Sequence, residues 1–161
     1  MIWRCRGREF DLSARTLVMG ILNVTPDSFS DGGRYMEPAA AIRRGRELLA
    51  EGADLLDIGA ESTRPGSEPV AAAEQIRRLA PVLDGLAGAV VSVDTASAEV
   101  AADALARGAS IVNDVTALRD PGMAAVAARA GAGLVLMHMQ GLPRTMQADP
   151  RYDDVVTEVR D

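Results

Sequence analysis

The sequence contains very little cysteine, histidine and aromatic residue, and each shortage excludes a class of protein. Cys5 is the only cysteine, so no disulfide can form within the chain, and we expect the protein to work in the cytoplasm. His138 is the only histidine, which excludes a His-rich zinc site. No apolar run approaches the roughly 18 residues of a membrane span, and no secretory signal pattern is present.

Positive charge is also scarce, which bears on the kind of partner. The 17 Lys and Arg residues are outnumbered by 23 Asp and Glu, so the formal net charge is −6 at pH 7. Nucleic-acid binding requires a clustered positive surface that neutralises phosphates, and no such cluster is present. We therefore expect neither nucleic acid nor a membrane as a partner.

The composition is otherwise that of an ordinary globular protein, with 48% hydrophobic and 25% charged residues. At about 100 to 200 residues per domain, the 161 residues correspond to a single domain, 1–161.

Short apolar runs alternate with amphipathic segments after an N-terminal stretch that predicts a hairpin turning near Gly7. The runs are too short for helices and almost wholly apolar, which is typical of buried parallel strands. Apolar residues at helical spacing between the runs predict helices, the fourth with Asp120 as N-cap and Pro121 as its first residue. The five predicted strands span residues 17–22, 54–58, 89–93, 109–112 and 134–137.

Two architectures suit this alternation of strands and helices. A five-stranded doubly wound open sheet can be completed within about 160 residues, whereas a (β/α)₈ barrel takes about 250. Length therefore favours the open sheet. Against it, residues 153–161 begin a further helical pattern that stops without a C-cap signal, as if the chain were truncated in its fifth helix.

Polar residues follow each predicted strand, at the end where both architectures bind ligands. Any one of them could be an N-cap or a loop residue, but five consecutive strand ends favour a binding site. Asp94 has no acidic neighbour along the chain, so we expect it to stand alone as a charge. In the two longest loops, Phe29 could cover a ligand, and Arg64 could bind an anion or lie solvated at the surface.

Five motifs together resemble dihydropteroate synthase. They occur in the family's order over essentially the whole chain, and the first two are long and specific. The motifs are MGILNVTPDSFSDGG (19–33), DIGAESTRPGS (57–67), SVDT (92–95), NDV (113–115) and LMHMQGLPRTMQ (136–147).

The resemblance implies a (β/α)₈ barrel, of which this chain supplies about five strands. It also implies a folate-biosynthesis transferase that joins 4-aminobenzoate to a dihydropterin methyl diphosphate and releases diphosphate with the help of Mg²⁺. Sulfonamides inhibit such an enzyme because they mimic 4-aminobenzoate. A homodimer is implied for the full-length protein.

Roles for individual residues are implied by their positions in these motifs. Asn23 would bind the magnesium ion, and Asp94 and Asn113 would hydrogen-bond the pterin. Asp94 would also stabilise the cationic pterin that remains when diphosphate departs. The other implied substrate-binding residues are Thr63 at a phosphate, Val115, Val135 and Met137 on the pterin faces, and Phe29 and Pro65 around 4-aminobenzoate, and we count Arg64 among the substrate-binding residues as the anion-binding candidate of its loop.

The family also draws an aspartate, a lysine, an arginine and a histidine from beyond its fifth strand. The sequence has no counterpart of these residues, so we expect the 161-residue chain to be inactive alone. Two alternatives remain: a pterin-binding methyltransferase domain that serves a corrinoid, which should lack the first two motifs, and a noncatalytic half-barrel.

Overall fold

A computed structural model describes residues 1–25, 38–61, 69–141 and 145–160, which form a hairpin and a parallel sheet with helices between its strands. The hairpin consists of β1 (Ile2–Cys5) and β2 (Arg8–Asp11). The sheet strands are β3 (Met19–Asn23), β4 (Leu55–Gly59), β5 (Val91–Asp94), β6 (Ile111–Asp114) and β7 (Gly133–Leu136). The helices are α1 (Pro38–Ala50), α2 (Ala72–Gly85), α3 (Ala98–Ala106), α4 (Met123–Ala130) and α5 (Val155–Arg160).

The predicted hairpin and all five predicted sheet strands are confirmed, with boundaries shifted by one or two residues. The first four sheet strands end one or two residues later than predicted, and three of them thereby include polar residues that are predicted to follow the strands. The reason is that backbone pairing continues regardless of side-chain polarity. Asn23, Asp94 and Asn113 are therefore held by the sheet itself.

The strand order excludes the doubly wound alternative among the described residues. The strands lie in the order β3-β4-β5-β6-β7, every neighbouring pair is parallel, and the order never reverses as it must in a doubly wound sheet. Helices α1 to α4 pack with one face of the sheet in a single core. Sequential parallel strands with helices on one face form a portion of a (β/α)₈ barrel.

The helix-covered face forms the main core, because every second residue of each strand points toward α1 to α4. Burial of these aliphatic side chains removes apolar surface from water at about 25 cal/mol per Å². The strand residues in this core are Leu22, Leu56, Ile58, Val91, Val93, Val112 and Leu134.

The opposite face of the sheet, called the inner face below, carries a smaller apolar cluster at the amino ends of its strands. The hairpin covers this cluster: Cys5 is fully buried and packs with Leu55 and Ile111, with Trp3 beside them. The backbone N–H of Arg6 also donates to Gly131 O at 2.6 Å. The hairpin thus closes one end of the inner face and leaves the carboxyl ends of the strands for a site.

Two features at the ends of helices differ from the predictions. Helix α4 begins at Met123 with Gly122 in the N-cap position, so Asp120 is not its N-cap. The Asp120 carboxylate instead accepts from Gly122 N and from Ala98 N, both at 2.8 Å. It therefore satisfies an otherwise unpaired N–H in the first turn of α3 as well as its own turn.

The helical pattern predicted at the end of the sequence is confirmed as α5, none of whose six residues is buried. None of the helices described is long and apolar enough to cross a bilayer.

The contact between the hairpin and the sheet predicts that Gly133→Ala destabilises the protein. A Cβ there would lie 2.5 Å from Cys5 Sγ and 2.9 Å from Trp3 Cζ2, and overpacking of this kind costs about 1–3 kcal/mol. Urea unfolding of the protein from its complete reading frame measures the loss. Adding Cys5→Ala should make the double variant more stable than the sum of the single losses, whereas strict additivity would contradict the assigned contact.

Candidate substrate-binding site

The strand register brings four of the predicted site residues into one row on the inner face. Asn23 pairs with Gly59, Gly59 with Asp94, Asp94 with Asn113, and Asn113 with Val135. Side chains alternate along each strand, so residues of one row point to the same face. The strand-end row thus presents an amide, a carboxylate, a second amide and an aliphatic side chain side by side.

A second row, one step toward the amino ends, contains two buried polar residues that the sequence analysis did not select. Asp57 and Ser92 are neighbours in this row, with 6% and 0% of their surfaces exposed. Asn113 Nδ2 donates to Asp57 Oδ2 at 3.0 Å, which connects the two rows. The sequence does carry a signal that points to Asp57, which is a carboxylate in the otherwise apolar strand Leu55–Gly59. A buried charge without a partner is rare, so such a residue is a candidate for a functional site.

Three buried polar atoms at this place have no hydrogen-bond partner among the described residues. They are Asp57 Oδ1, Ser92 Oγ and Asp94 Oδ1. An unpaired buried polar atom costs about 1–3 kcal/mol, so a cluster of them opposes folding. Two carboxylate oxygens with free acceptor capacity suit a ligand that presents N–H donors.

The surroundings of Asp94 favour its protonated form. Burial raises the pKa of Asp94 to about 7, and the nearby carboxylates of Asp57, Glu61 and Asp114 add to the rise. The expectation that Asp94 stands alone as a charge is therefore wrong, because the fold brings acidic residues from other segments to it. Burial likewise raises the pKa of Asp57, against the opposing effects of the neighbouring Ser92 hydroxyl and of the Asn113 amide.

A glycine beside Asp94 leaves room for its side chain. A Cβ at Gly59 would lie 3.3 Å from both Asp94 Cβ and Asp94 Oδ2. This distance is tighter than most contacts of a real Cβ, so a larger residue at Gly59 would push the carboxylate away. The glycine therefore keeps the strand-end row open in front of Asp94.

Two polar residues that follow the strands belong to the other face and do not contribute to the row. Asp114 is fully buried, and its carboxylate accepts from Thr116 N and Leu118 N, both at 2.8 Å. Thr95 is buried against α2, where Thr95 Oγ1 donates to Gln75 Oε1 at 3.3 Å. Asp114 thus stabilises the turn that follows β6, and Thr95 stabilises the contact of β5 with α2.

The predicted site residues differ in their exposure. Val115, Val135 and Met137 are half-buried, while Asn23 is exposed at the end of β3. Phe29, Thr63, Arg64 and Pro65 lie outside the described residues. His138 is exposed, and its Nε2 lies 3.0 Å from the hydroxyl oxygen of Tyr152.

The donor set around Asn23 suits a magnesium ion that takes most of its ligands from elsewhere. Within the described ranges, no group of three or more His, Cys, Asp or Glu side chains is placed to hold a metal. An exposed amide oxygen is a hard, neutral ligand, and Mg²⁺ is commonly bound through few protein groups together with phosphates and water. The residues present thus fit a metal that arrives with a phosphorylated ligand.

Comparison with known proteins agrees with this arrangement of strands and polar residues. The family described as pterin binding enzymes matches residues 19–161. The dihydropteroate synthase of Escherichia coli is 45% identical over 157 residues, which cover 96% of this chain and 55% of that protein. The fold is that of a parallel β/α protein, and the chain belongs to the family of pterin binding enzymes.

Solved structures show the same likeness. The Yersinia pestis dihydropteroate synthase in complex with a sulfonamide drug has a TM-score of 0.87 and 45% identity, covering 99% of this chain and 59% of that chain. The Xanthomonas albilineans dihydropteroate synthase with 4-aminobenzoic acid has a TM-score of 0.82 and 49% identity. The match covers 98% of this chain and 56% of that chain. The chain thus spans a little over half the length of these dihydropteroate synthases, and the barrel architecture is confirmed.

The buried carboxylate predicts that Asp94→Asn stabilises the protein at alkaline pH. The native pKa of about 7 lies above the ordinary value of 3.8, so the folded state holds the extra proton between these values. The contribution of protonated Asp94 to the stability is therefore fully present below about pH 4 and is lost as the pH rises through 7. Asp94→Asn should raise the free energy of unfolding by about 2 kcal/mol at pH 8 and by less at pH 5.

Urea unfolding at both pH values measures this difference. Asp153→Asn, which removes an exposed carboxylate, controls for the loss of one negative charge. An equal effect of Asp94→Asn at pH 5 and pH 8 would show that Asp94 ionises as an ordinary exposed carboxylate.

Proposed function

We propose that the protein is a dihydropteroate synthase, which condenses 4-aminobenzoate with a dihydropterin methyl diphosphate to give dihydropteroate and diphosphate. One observation of this chain carries the proposal: a buried carboxylate oxygen, Asp94 Oδ1, lies at the carboxyl end of β5 without a hydrogen-bond partner among the described residues. The identity of 45–49% to dihydropteroate synthases from three bacteria supports it. The Xanthomonas albilineans relative is described with 4-aminobenzoic acid, one of the two proposed substrates.

The amino-pyrimidine edge of a pterin complements the polar residues of the row. This edge presents N–H donors side by side, and a carboxylate oxygen accepts such donors in charge-assisted hydrogen bonds. Asp94 is the proposed acceptor, and Asn113 the amide that is held in place by Asp57. Val115, Val135 and Met137 would pack against the faces of the ring.

The negative charge of Asp94 would matter for the reaction as well as for binding. An aryl amine is a weak nucleophile, so departure of diphosphate leaves positive charge on the pterin before the new C–N bond is complete. Ionised Asp94 would stabilise this charge in a site with little water. Binding of a pterin edge with N–H donors would lower the pKa of Asp94 from about 7, because hydrogen bonds favour the charged form.

Asn23 would hold a magnesium ion at the other end of the row. When bound, Mg²⁺ would neutralise the diphosphate and make it a better leaving group. The neutral amide would add no negative charge against the phosphates. Thr63 and Arg64 are the proposed phosphate contacts, and Phe29 and Pro65 the proposed walls for 4-aminobenzoate.

We also propose that the protein acts in the cytoplasm as a homodimer. The lone cysteine supports a reducing compartment, because the sequence has no second thiol for a disulfide. The homodimer rests on the family resemblance.

The test of the proposed function is formation of dihydropteroate by the protein expressed from its complete reading frame. We expect turnover that a sulfonamide inhibits, and binding of a pterin measured by calorimetry. Asp94→Asn should weaken pterin binding at least tenfold, since a charge-assisted hydrogen bond is worth roughly 1.5–3 kcal/mol. Absence of turnover would overturn the function, and unchanged pterin affinity in Asp94→Asn would overturn the role of Asp94.

Asn23→Ala provides a separate prediction about the metal. Removing one oxygen ligand should raise the Mg²⁺ concentration needed for half-maximal activity about tenfold, with activity restored at high Mg²⁺. Asn23 is exposed, so little stability should be lost. An unaltered Mg²⁺ dependence in Asn23→Ala would show that another group binds the ion.

A further inference from the structure

A hydrogen bond between Asp57 and Asn113 crosses a strand of the sheet. Asp57 lies on β4 and Asn113 on β6, with β5 between them. Asn113 Nδ2 donates to Asp57 Oδ2 at 3.0 Å. Ser92 of β5 is paired with Asp57, and its short side chain leaves space for the bond above the strand. The bond therefore links the two rows of the inner face across three strands.

A carboxylate at position 57 determines which end of the Asn113 carboxamide faces it. The two ends of an amide differ chemically, since the nitrogen donates and the oxygen accepts. An ionised carboxylate accepts hydrogen bonds and donates none. If the amide were turned over, Asn113 Oδ1 would face Asp57 Oδ2, and two acceptors would lie against each other. The nitrogen end of the amide is thus held toward Asp57.

The burial of Asp57 makes this orientation hard to reverse. Only 6% of Asp57 is exposed, so water cannot readily replace the hydrogen bond. Burying a carboxylate opposes folding, and burial accordingly raises the pKa of Asp57. An asparagine or a serine at this position would bury no charge, but each offers both a donor and an acceptor and would accept either orientation of the amide. A carboxylate is therefore the residue type that selects one orientation.

The opposite end of the same amide is left for a ligand. No described residue donates a hydrogen bond to Asn113 Oδ1. Asn113 is paired with Asp94 in the strand-end row, and Asp94 Oδ1 likewise has no partner within the described ranges. Neighbouring strands are about 4.8 Å apart, so both oxygens lie within reach of one small heterocycle. The row therefore presents two acceptors side by side.

We propose that Asp57 is a specificity-determining positioning residue, which fixes the Asn113 amide with its oxygen toward the ligand and thereby selects a heterocycle that presents an N–H donor there. The inference rests on the proposed function. In a pterin, the selected donor is the 2-amino group. The site should consequently reject the pteridine in which a carbonyl oxygen replaces that group. Asp57 touches no reacting atom and acts through Asn113.

This role predicts a change of selectivity, which a purely structural role does not. A 2-amino-4-oxopteridine presents a donor to Asn113 Oδ1, whereas a 2,4-dioxopteridine presents an acceptor. A site built to hydrogen-bond an N–H group rejects an analogue that lacks it. If the amide can turn over, its nitrogen can donate to the carbonyl oxygen of the analogue, and part of the selectivity is lost.

Asp57→Asn is the test variant, because it keeps the shape of the side chain and offers both a donor and an acceptor to Asn113. Calorimetry at pH 7 measures the dissociation constants of both pteridines for the protein expressed from its complete reading frame. We expect the wild type to bind the 2-amino compound at least about 100-fold more tightly. In Asp57→Asn this ratio should be about tenfold smaller, and Asp94 should account for what remains.

Leu56→Val is the matched control for a general weakening of β4. Leu56 precedes Asp57, is fully buried and packs in the helix-covered core. Loss of one methylene group there should destabilise the protein and leave the ratio of the two dissociation constants unchanged. A fall of the ratio in this control as large as that in Asp57→Asn would overturn the inference.

Hydrogen exchange of the Asn113 side chain gives a second readout that does not depend on binding. Nuclear magnetic resonance can follow its amide protons, and the proton that bonds Asp57 should exchange slowly with water. Exchange should be faster in Asp57→Asn and unchanged in Leu56→Val. Should Asp57→Asn not fold, Asp57→Ser also offers a donor and an acceptor, and the same fall of the ratio is expected.

The outcomes separate the two proposals. If the wild type binds neither pteridine and forms no dihydropteroate, the proposed function is wrong, and exchange of the Asn113 side chain still decides whether Asp57 holds the amide. If the wild type prefers the 2-amino compound and Asp57→Asn weakens the binding of both pteridines by the same factor, Asp57 is structural only and the inference is wrong.

Discussion

The common register of five parallel strands is the constraint on which the candidate site depends. Backbone hydrogen bonds align Asn23, Gly59, Asp94, Asn113 and Val135 in one row although they are up to 112 positions apart along the chain. No flexible loop is needed to bring these residues together. A shift of one residue in any strand would turn its member of the row to the helix-covered face, so packing of the core and assembly of the site are the same event.

This arrangement places stability and binding in opposition. Two rows of the inner face contain Asp57, Ser92 and Asp94, each with a buried polar atom that has no partner among the described residues. The free protein bears the desolvation of these atoms, and a ligand with N–H donors would relieve it. Part of the free energy of the proposed binding would therefore come from hydrogen bonds that the described residues leave unmade.

Most of the fold was predictable from the sequence, because strand and helix periods are local properties. Asp94, Asn113 and Asn23, which were predicted to lie at strand ends that converge, do share one row of the sheet. The carboxylates around Asp94 were not foreseen, since Asp57 and Glu61 approach it only through the fold. Asp120 was misassigned for a similar reason: the N–H of Ala98 that it satisfies belongs to a different helix, 22 residues earlier in the chain.

The alternation of side chains also explains why neighbouring motif residues have different tasks. Asp94 and Thr95 are adjacent, as are Asn113 and Asp114, and in each pair only the first residue belongs to the strand-end row. The second residue points toward the helices, where Thr95 bonds Gln75 and Asp114 holds the turn that follows β6. Each motif thus contributes one side chain to the strand-end row and one to the surrounding structure. A variant at Thr95 or Asp114 should consequently alter the strand-end row through the position of its neighbours, because neither side chain lies on the inner face.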